Sequence, residues 1–367
     1  MPTYIHQYQE WPNFSWDLSK IAPQLAEVRH HQGRLLGRME GIGFNLQVEA
    51  NLHTLTLDVL KSSEIEGEIL DADQVRSSIA RRLGMDIVGL IPADRHVEGI
   101  VEKMLDATQN YKALLTDERL FNWHAAMFPA GRIGMHKIVV GDYRDNSRED
   151  TMQVISGPMG KEKVHFQAPD SELLAGEMSK LIHWFNEAND IDPVLKAAIA
   201  HLWFVTIHPF DDGNGRIARA ITDMQLSRAD NSAQRFYSMS SQIRTERKEY
   251  SDILEKTQKG SLDITGWISW FLTCLGRALT GTNSTLAGVM EKARFWEKHS
   301  TTPLNDRQRV MLNKLLDGFD GKLTSSKWSK ITKTSQDSAV RDINDLLQRG
   351  ILLKEPGGGR STSYVLY

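Results

Sequence analysis

Cysteine is nearly absent from this chain: Cys274 stands alone among 367 residues. A single thiol closes no internal disulfide and builds no zinc ribbon, which argues against a stapled secreted scaffold and for a reducing, cytoplasmic setting. Long apolar runs are missing as well. Nothing approaches the roughly 20 residues that cross a bilayer. The opening MPTYIHQYQEW lacks the basic-then-apolar layout of a secretory leader, so no membrane association is expected. Net charge is small, −3 from 44 Lys and Arg against 47 Asp and Glu, and makes no global case for nucleic acid or membrane. Internal repeats and low-complexity tracts are also lacking. What is there is an ordinary globular composition, 40% hydrophobic with 9 Trp, in a chain long enough for two or three domains.

Three segments differ in character. Residues 1–115 read as helical: Leu25, Val28, Leu35 and Met39 share one face, as do Leu52, Leu55 and Val59. The second of these helices should stop near Gly67, and a third should start around Asp71 to Asp73. Residues 116–295 are mostly helical, with one hairpin expected where MQVIS and VHFQAP bracket the turn-rich GPMGKEK. Asp192 and Pro193 supply an N-cap and a first-turn proline to VLKAAIAHLWFVTI, apolar nearly all round and so expected at the centre of the domain. That helix should stop at His208-Pro209. Residues 300–367 carry a local excess of positive charge. Their order of helix, short helix, turn, helix and hairpin is that of a winged helix-turn-helix, with PGGGR as the wing tip.

The chemistry concentrates in His208-Pro-Phe-Asp-Asp-Gly-Asn-Gly-Arg-Ile-Ala-Arg219. Glycines flanking an asparagine let consecutive N–H groups point into one concavity, and the start of the following helix adds positive potential. Arg216 and Arg219 fall on the first turn and a half of that helix. Two cations there are unfavourable unless an anion joins them, and a polyphosphate would. Asp212 is a hard oxygen ligand suited to Mg²⁺ between phosphates. His208 has the ordinary pKa of a general base at neutral pH. Together these residues suit in-line attack of a hydroxyl on phosphorus. The same letters also suit a plain interhelical turn with a histidine cap.

HPFDDGNGRIAR also matches throughout the signature of the Fic family, His-Pro-Phe-x-(Asp/Glu)-Gly-Asn-Gly-Arg-x-x-Arg. The chain resembles that family over residues ~1 to 295. The resemblance implies a protein adenylyltransferase, moving AMP from ATP to a Ser, Thr or Tyr hydroxyl of a target protein or of the chain itself. It implies a mainly α fold, a helical bundle with a β-hairpin flap. In this scheme His208 deprotonates the acceptor and Phe210 anchors the loop. Asp212 holds Mg²⁺, while Gly213, Asn214 and Gly215 form the anion nest. Arg216 and Arg219 take the β- and γ-phosphates, and Tyr250 resembles a tyrosine lining the nucleotide pocket. The hairpin at MQVISGPMGKEKVHFQAP resembles the flap that docks a target by strand addition.

Residues 62–67, Ser-Ser-Glu-Ile-Glu-Gly, resemble the family's inhibitory motif through Ser62, Glu66 and Gly67. A carboxylate held against Arg219 would compete with the γ-phosphate. Alternatives within the same family are transfer of phosphate in place of AMP, and removal of AMP at the same site with Glu66 positioning a water. A different class, a nucleotide-sensing regulator that binds DNA through residues 300–367, is supported by Lys333, Arg341 and Arg360. It is opposed by Asp337, Asp342 and Asp345, expected to repel phosphates from the same helix. A protein partner for that segment and a second copy of the chain in a homo-oligomer are further readings.

Overall fold

The computed structural model describes residues 3–85, 87, 89–133, 136–145, 151–157, 160–319, 321–355 and 362–367. The chain is mainly helical, and its residues group into two compact units: Met1–Gly84 with Pro92–Thr282, and Met85–Ile91 with Asn283–Tyr367.

The first unit opens with α1 (Leu18–Glu40), capped by Asp17 on the Ser19 amide and burying Ile21, Val28, Leu35 and Met39. Next comes α2 (Phe44–Ile65), with Leu52, Leu55 and Val59 in the core. It ends where expected, because Gly67 takes a φ of 87° that side chains disfavour. α3 (Ala72–Arg82) and α4 (Arg95–Gln109) start at the caps Asp71 and Asp94, and α5 (Asp117–Met127) at Thr116. A small pair, β1 (Arg132–Ile133) and β2 (His136–Lys137), precedes the hairpin of β3 (Gln153–Ser156) and β4 (Lys163–Gln167). The hairpin is antiparallel, with Val154 opposite Phe166 and Ser156 opposite Lys163. Pro158 and Met159 of its turn lie outside the described residues.

After α6 (Leu174–Asn186) comes α7 (Pro193–Ile207), in which every residue from Val194 to Ile207 is buried. This is the physical counterpart of its nearly all-apolar sequence. α8 (Asn214–Asp230) packs along it after the loop 208–213. α9 (Met239–Thr245), α10 (Arg247–Gln258) and the start of α11 (Thr265–Lys298) complete the unit.

The second unit contains α12 (Asp306–Leu316), α13 (Ser325–Ile331) and α14 (Gln336–Gln348), then β5 (Leu352–Lys354) paired antiparallel to β6 (Tyr364–Leu366). Trp328, Ile343, Leu346 and Leu352 are in its core. The PGGGR turn, Arg360 included, lies outside the described residues. One expectation is overturned here for two of its three carboxylates, while Asp337 stays exposed. Asp342 is buried, accepting from Arg307 Nε at 2.7 Å and Asn305 at 2.9 Å, and Asp345 accepts from Gln308 and Arg349. Neither carboxylate stands free on the α14 surface to repel phosphates, because each lies on the side of the helix that meets α12 or its own last turn.

Candidate active site

Two helix ends meet at the loop 208–213. α7 stops because His208 adopts a left-handed backbone (φ 53°, ψ 57°) directly before Pro209. α8 starts from Gly213, also left-handed at φ 79°, with no side chain capping its first turn. The loop between is pinned. Phe210 is fully buried and stacks on the His124 ring, centroids 4.4 Å apart. The buried Asn214 amide accepts from Phe210 N at 3.0 Å and donates to Phe210 O at 2.7 Å. Arg144 donates to the His208 carbonyl at 2.9 Å, and Asp211 accepts from the Val139 amide.

This scaffold sets the chemistry of His208. Its Nδ1 lies 3.2 Å from the Val205 carbonyl, which can only accept, so Nδ1 carries the proton and Nε2 keeps its lone pair. Burial lowers its pKa to about 4, against the smaller upward pull of the Val205 carbonyl. The imidazole is therefore neutral at pH 7, the state a general base needs.

Arg216 and Arg219 of α8 are buried, and each meets a carboxylate from the turn after α2. Arg219 donates to Glu66 at 2.7 Å, to the Ser62 hydroxyl at 2.9 Å and to the Ser62 carbonyl at 2.9 Å. Burial pushes Glu66 up, but Arg219, with Arg216 and Arg247, more than offsets it and holds the carboxyl below its ordinary range. Gly215 is where the two approach: a Cβ there would overlap Glu66 Oε1 and lie 3.2 Å from Arg219 Nη1. Arg216 donates to Glu68 at 2.9 Å, lies over the Phe128 ring and keeps Asp212 at 3.9 Å. Asp212 is 42% exposed, at a cleft of about 480 Å³ lined also by Glu66, Glu68, His96, Phe128 and Arg216. Arg216 Nε and Arg219 Nη1 are buried and have no hydrogen-bond partner among the described residues, two donors that an anion could satisfy.

Thus His208, Phe210, Asp212, Asn214, Gly215, Arg216 and Arg219 come together on one loop and helix start, with Ser62 and Glu66 facing them. Gly67 contributes its backbone turn. Tyr250 is buried behind this group, with Arg219 beside it. Several partners escaped the sequence reading. Glu68 bonds His96 as well as Arg216, and it sits two residues beyond Glu66 in the same EGE run. Lys103 lies buried beneath α8, donating to the Arg216 carbonyl at 3.3 Å, with burial holding its amine well below its ordinary range. His201 bridges Thr222 at 2.9 Å and Tyr250 at 2.8 Å. Thr222 donates onward to Ala218 O, so it accepts from His201 Nδ1, and His201 Nε2 accepts from Tyr250. A polar residue at the middle of a mostly apolar helix was the available signal for His201.

Residues 114–226 match the Fic/DOC family. The whole loop from His208 to Arg219 falls inside that match. Residues 4–85, with Ser62, Glu66 and Gly67, match a domain of unknown function (DUF4172). Among curated relatives, protein adenylyltransferase Fic of Drosophila grimshawi is 26% identical over 232 residues, 60% of this chain and 41% of that protein. Protein adenylyltransferase fic-1 of Caenorhabditis elegans is 34% identical over 99 residues, 26% of this chain and 18% of that protein. The chain spans less than half the length of either. Among solved structures, a Fic family protein from Desulfovibrio desulfuricans superposes with a TM-score of 0.51 at 19% identity, covering 94% of this chain and 96% of that one. A Fic-1 fragment from C. elegans gives 0.50 at 20% identity, covering 75% of each. At these identities the structures bear on the fold: it is the Fic fold.

Proposed function

We propose that this chain is a protein adenylyltransferase, transferring AMP from ATP to a Ser, Thr or Tyr hydroxyl of a target protein or of itself, and restrained by Glu66. The observation that carries the reading is the neutral His208, with Nδ1 tied to Val205 O and Nε2 unencumbered, at the mouth of a loop whose Arg216 and Arg219 each keep a buried N–H unpaired. Nε2 takes the proton of the acceptor hydroxyl while its oxygen bonds to the α-phosphorus. The bond from that phosphorus to the oxygen bridging the β-phosphate breaks, and pyrophosphate leaves. Arg216 and Arg219 take the β- and γ-phosphates, and the amides around Gly213, Asn214 and Gly215 cradle the chain. Asp212, a half-exposed carboxylate, would hold Mg²⁺, which would supply positive charge to neutralise the leaving group. Tyr250 lines the nucleotide pocket. Val154, Ile155 and Val164 are exposed along the hairpin, a strand edge on which an extended target segment can add.

In this reading residues 1–115 hold the brake, 116–295 the transferase and 300–367 a winged helix, in a cytoplasmic protein whose one thiol, Cys274, is buried. With ATP labelled at the α-phosphate, wild type should label weakly, Glu66→Gly strongly, and Glu66→Gly/His208→Ala not at all. No label from any variant, with lysate supplied as target, sinks the proposal.

A second reading adds DNA binding by α14. Asp342 and Asp345 are engaged by Arg307, Gln308 and Arg349, while Gln336, Arg341 and Asn344 are exposed. Such side chains read base edges. A salt-sensitive gel shift weakened by Arg341→Ala is expected, and an absent or salt-insensitive shift removes the reading.

A further inference from the structure

The turn after α2 delivers two carboxylates to Arg216 and Arg219 of α8. Glu66 meets Arg219 at 2.7 Å, and Glu68 meets Arg216 at 2.9 Å. The two pairs are built differently. Arg219 is also held by both oxygens of Ser62, so its guanidinium is fixed by the end of α2 itself. Arg216 has Glu68 as its close carboxylate partner, with Asp212 further off at 3.9 Å and the Phe128 ring beneath. Glu68 in turn shares its other oxygen with His96 Nε2, and His96 Nδ1 reaches the Met127 carbonyl at 3.0 Å. The carbonyl only accepts, so Nδ1 is protonated. The hydrogen bond to Glu68 raises the His96 pKa, favouring the imidazolium, which donates from both nitrogens.

We propose that Glu68 is a second phosphate-mimicking carboxylate, occupying at Arg216 the place of a nucleotide phosphate as Glu66 does at Arg219. This inference rests on the adenylyltransferase reading and names a residue of the same site. Three features support it. The Glu68 carboxylate lines the same cleft as Asp212 and Arg216, where the phosphates of that reading lie. Arg216 is only 5% exposed, yet its Nε has no partner, so Glu68 meets only part of its donor capacity. Finally, His96 gives Glu68 somewhere to go. When a phosphate claims Arg216, Glu68 keeps a cationic hydrogen-bond donor and is not left as an unpaired, half-buried charge. Removing Glu66 alone therefore frees Arg219 and leaves Arg216 capped. The α2 turn acts as a two-pronged cap, one carboxylate for each arginine.

Glu68→Gln tests this, since it keeps shape and removes charge from a half-exposed side chain. Binding of ADP and AMP is measured by calorimetry on the full chain carrying Glu66→Gly, with and without Glu68→Gln. ADP should bind about tenfold tighter when Glu68 is neutral, the scale of one charge-assisted hydrogen bond no longer competed for. AMP, which has no β-phosphate to reach Arg216, should bind equally well to both. A parallel His96→Gln variant should weaken ADP binding, because Glu68 then has Arg216 as its remaining cation. Unchanged or weaker ADP binding in Glu68→Gln overturns the proposal and makes Glu68 a structural brace. If no variant binds either nucleotide, the adenylyltransferase reading itself has failed, which is a different outcome.

Discussion

Two helices in the same unit begin in opposite ways. α5 starts from Thr116, whose hydroxyl accepts from the Arg119 amide, and carries Asp117 and Glu118 in its first turn. Its free amides and its dipole are met from within the chain. α8 starts from a left-handed glycine with no side-chain cap, no acid in its first turn and two buried arginines. Every local rule that α5 satisfies, α8 breaks. The negative charge it lacks arrives from a distant part of the chain, from Glu66 and Glu68 across 153 and 148 residues. A helix start completed by its own residues is finished at folding. One completed by a movable carboxylate can exchange that carboxylate for a ligand.

That contrast can be broken deliberately, and the largest effect is expected at Gly215. Its φ is not left-handed, so alanine is tolerated by the backbone, but the new Cβ fills the position now held by Glu66 Oε1. In the Glu66→Gly background, Gly215→Ala should cut nucleotide affinity by at least about tenfold, because the methyl would crowd a phosphate that takes the place of Glu66 beside Arg219. Calorimetric affinity equal to the parent would mean that phosphates do not lie against Gly215. At the other helix, Thr116→Ala should cost about 1 kcal/mol of stability through the lost cap while nucleotide affinity stays unchanged. Chemical denaturation read beside a binding curve checks both halves. The smallest expected change is in pH dependence. Burial lowers the His208 pKa to about 4, so the base stays unprotonated as pH falls from 7 to about 5. Labelling by Glu66→Gly should stay nearly flat over that range and decline only near pH 4. A decline centred near 6.5 would place His208 in a more solvated environment.

The elements themselves were legible early. Asp192-Pro193 opened α7, Gly67 closed α2, Asp71 capped α3, and alternating β-prone residues marked the hairpin, each for a local reason that neighbouring residues cannot cancel. Other features were invisible for want of a local cause. Asp342 and Asp345 looked like repulsive surface charges, because charge is written in the sequence and orientation is not. Glu68, His96 and Arg144, whose task is to hold the His208 carbonyl, carried no local signal at all.

The linear order of residues by itself determined the reacting loop. His208, Asp212, the glycines and both arginines are contiguous, and backbone freedom, helix dipole and side-chain chemistry act over a few residues. Tertiary structure alone decided the rest: that a second carboxylate, Glu68, meets Arg216, that Tyr250 and His201 stand together behind Arg219, and that burial holds the His208 pKa low. Those outcomes depend on burial and on charges brought together from far along the chain, and both come into being only when the helices pack.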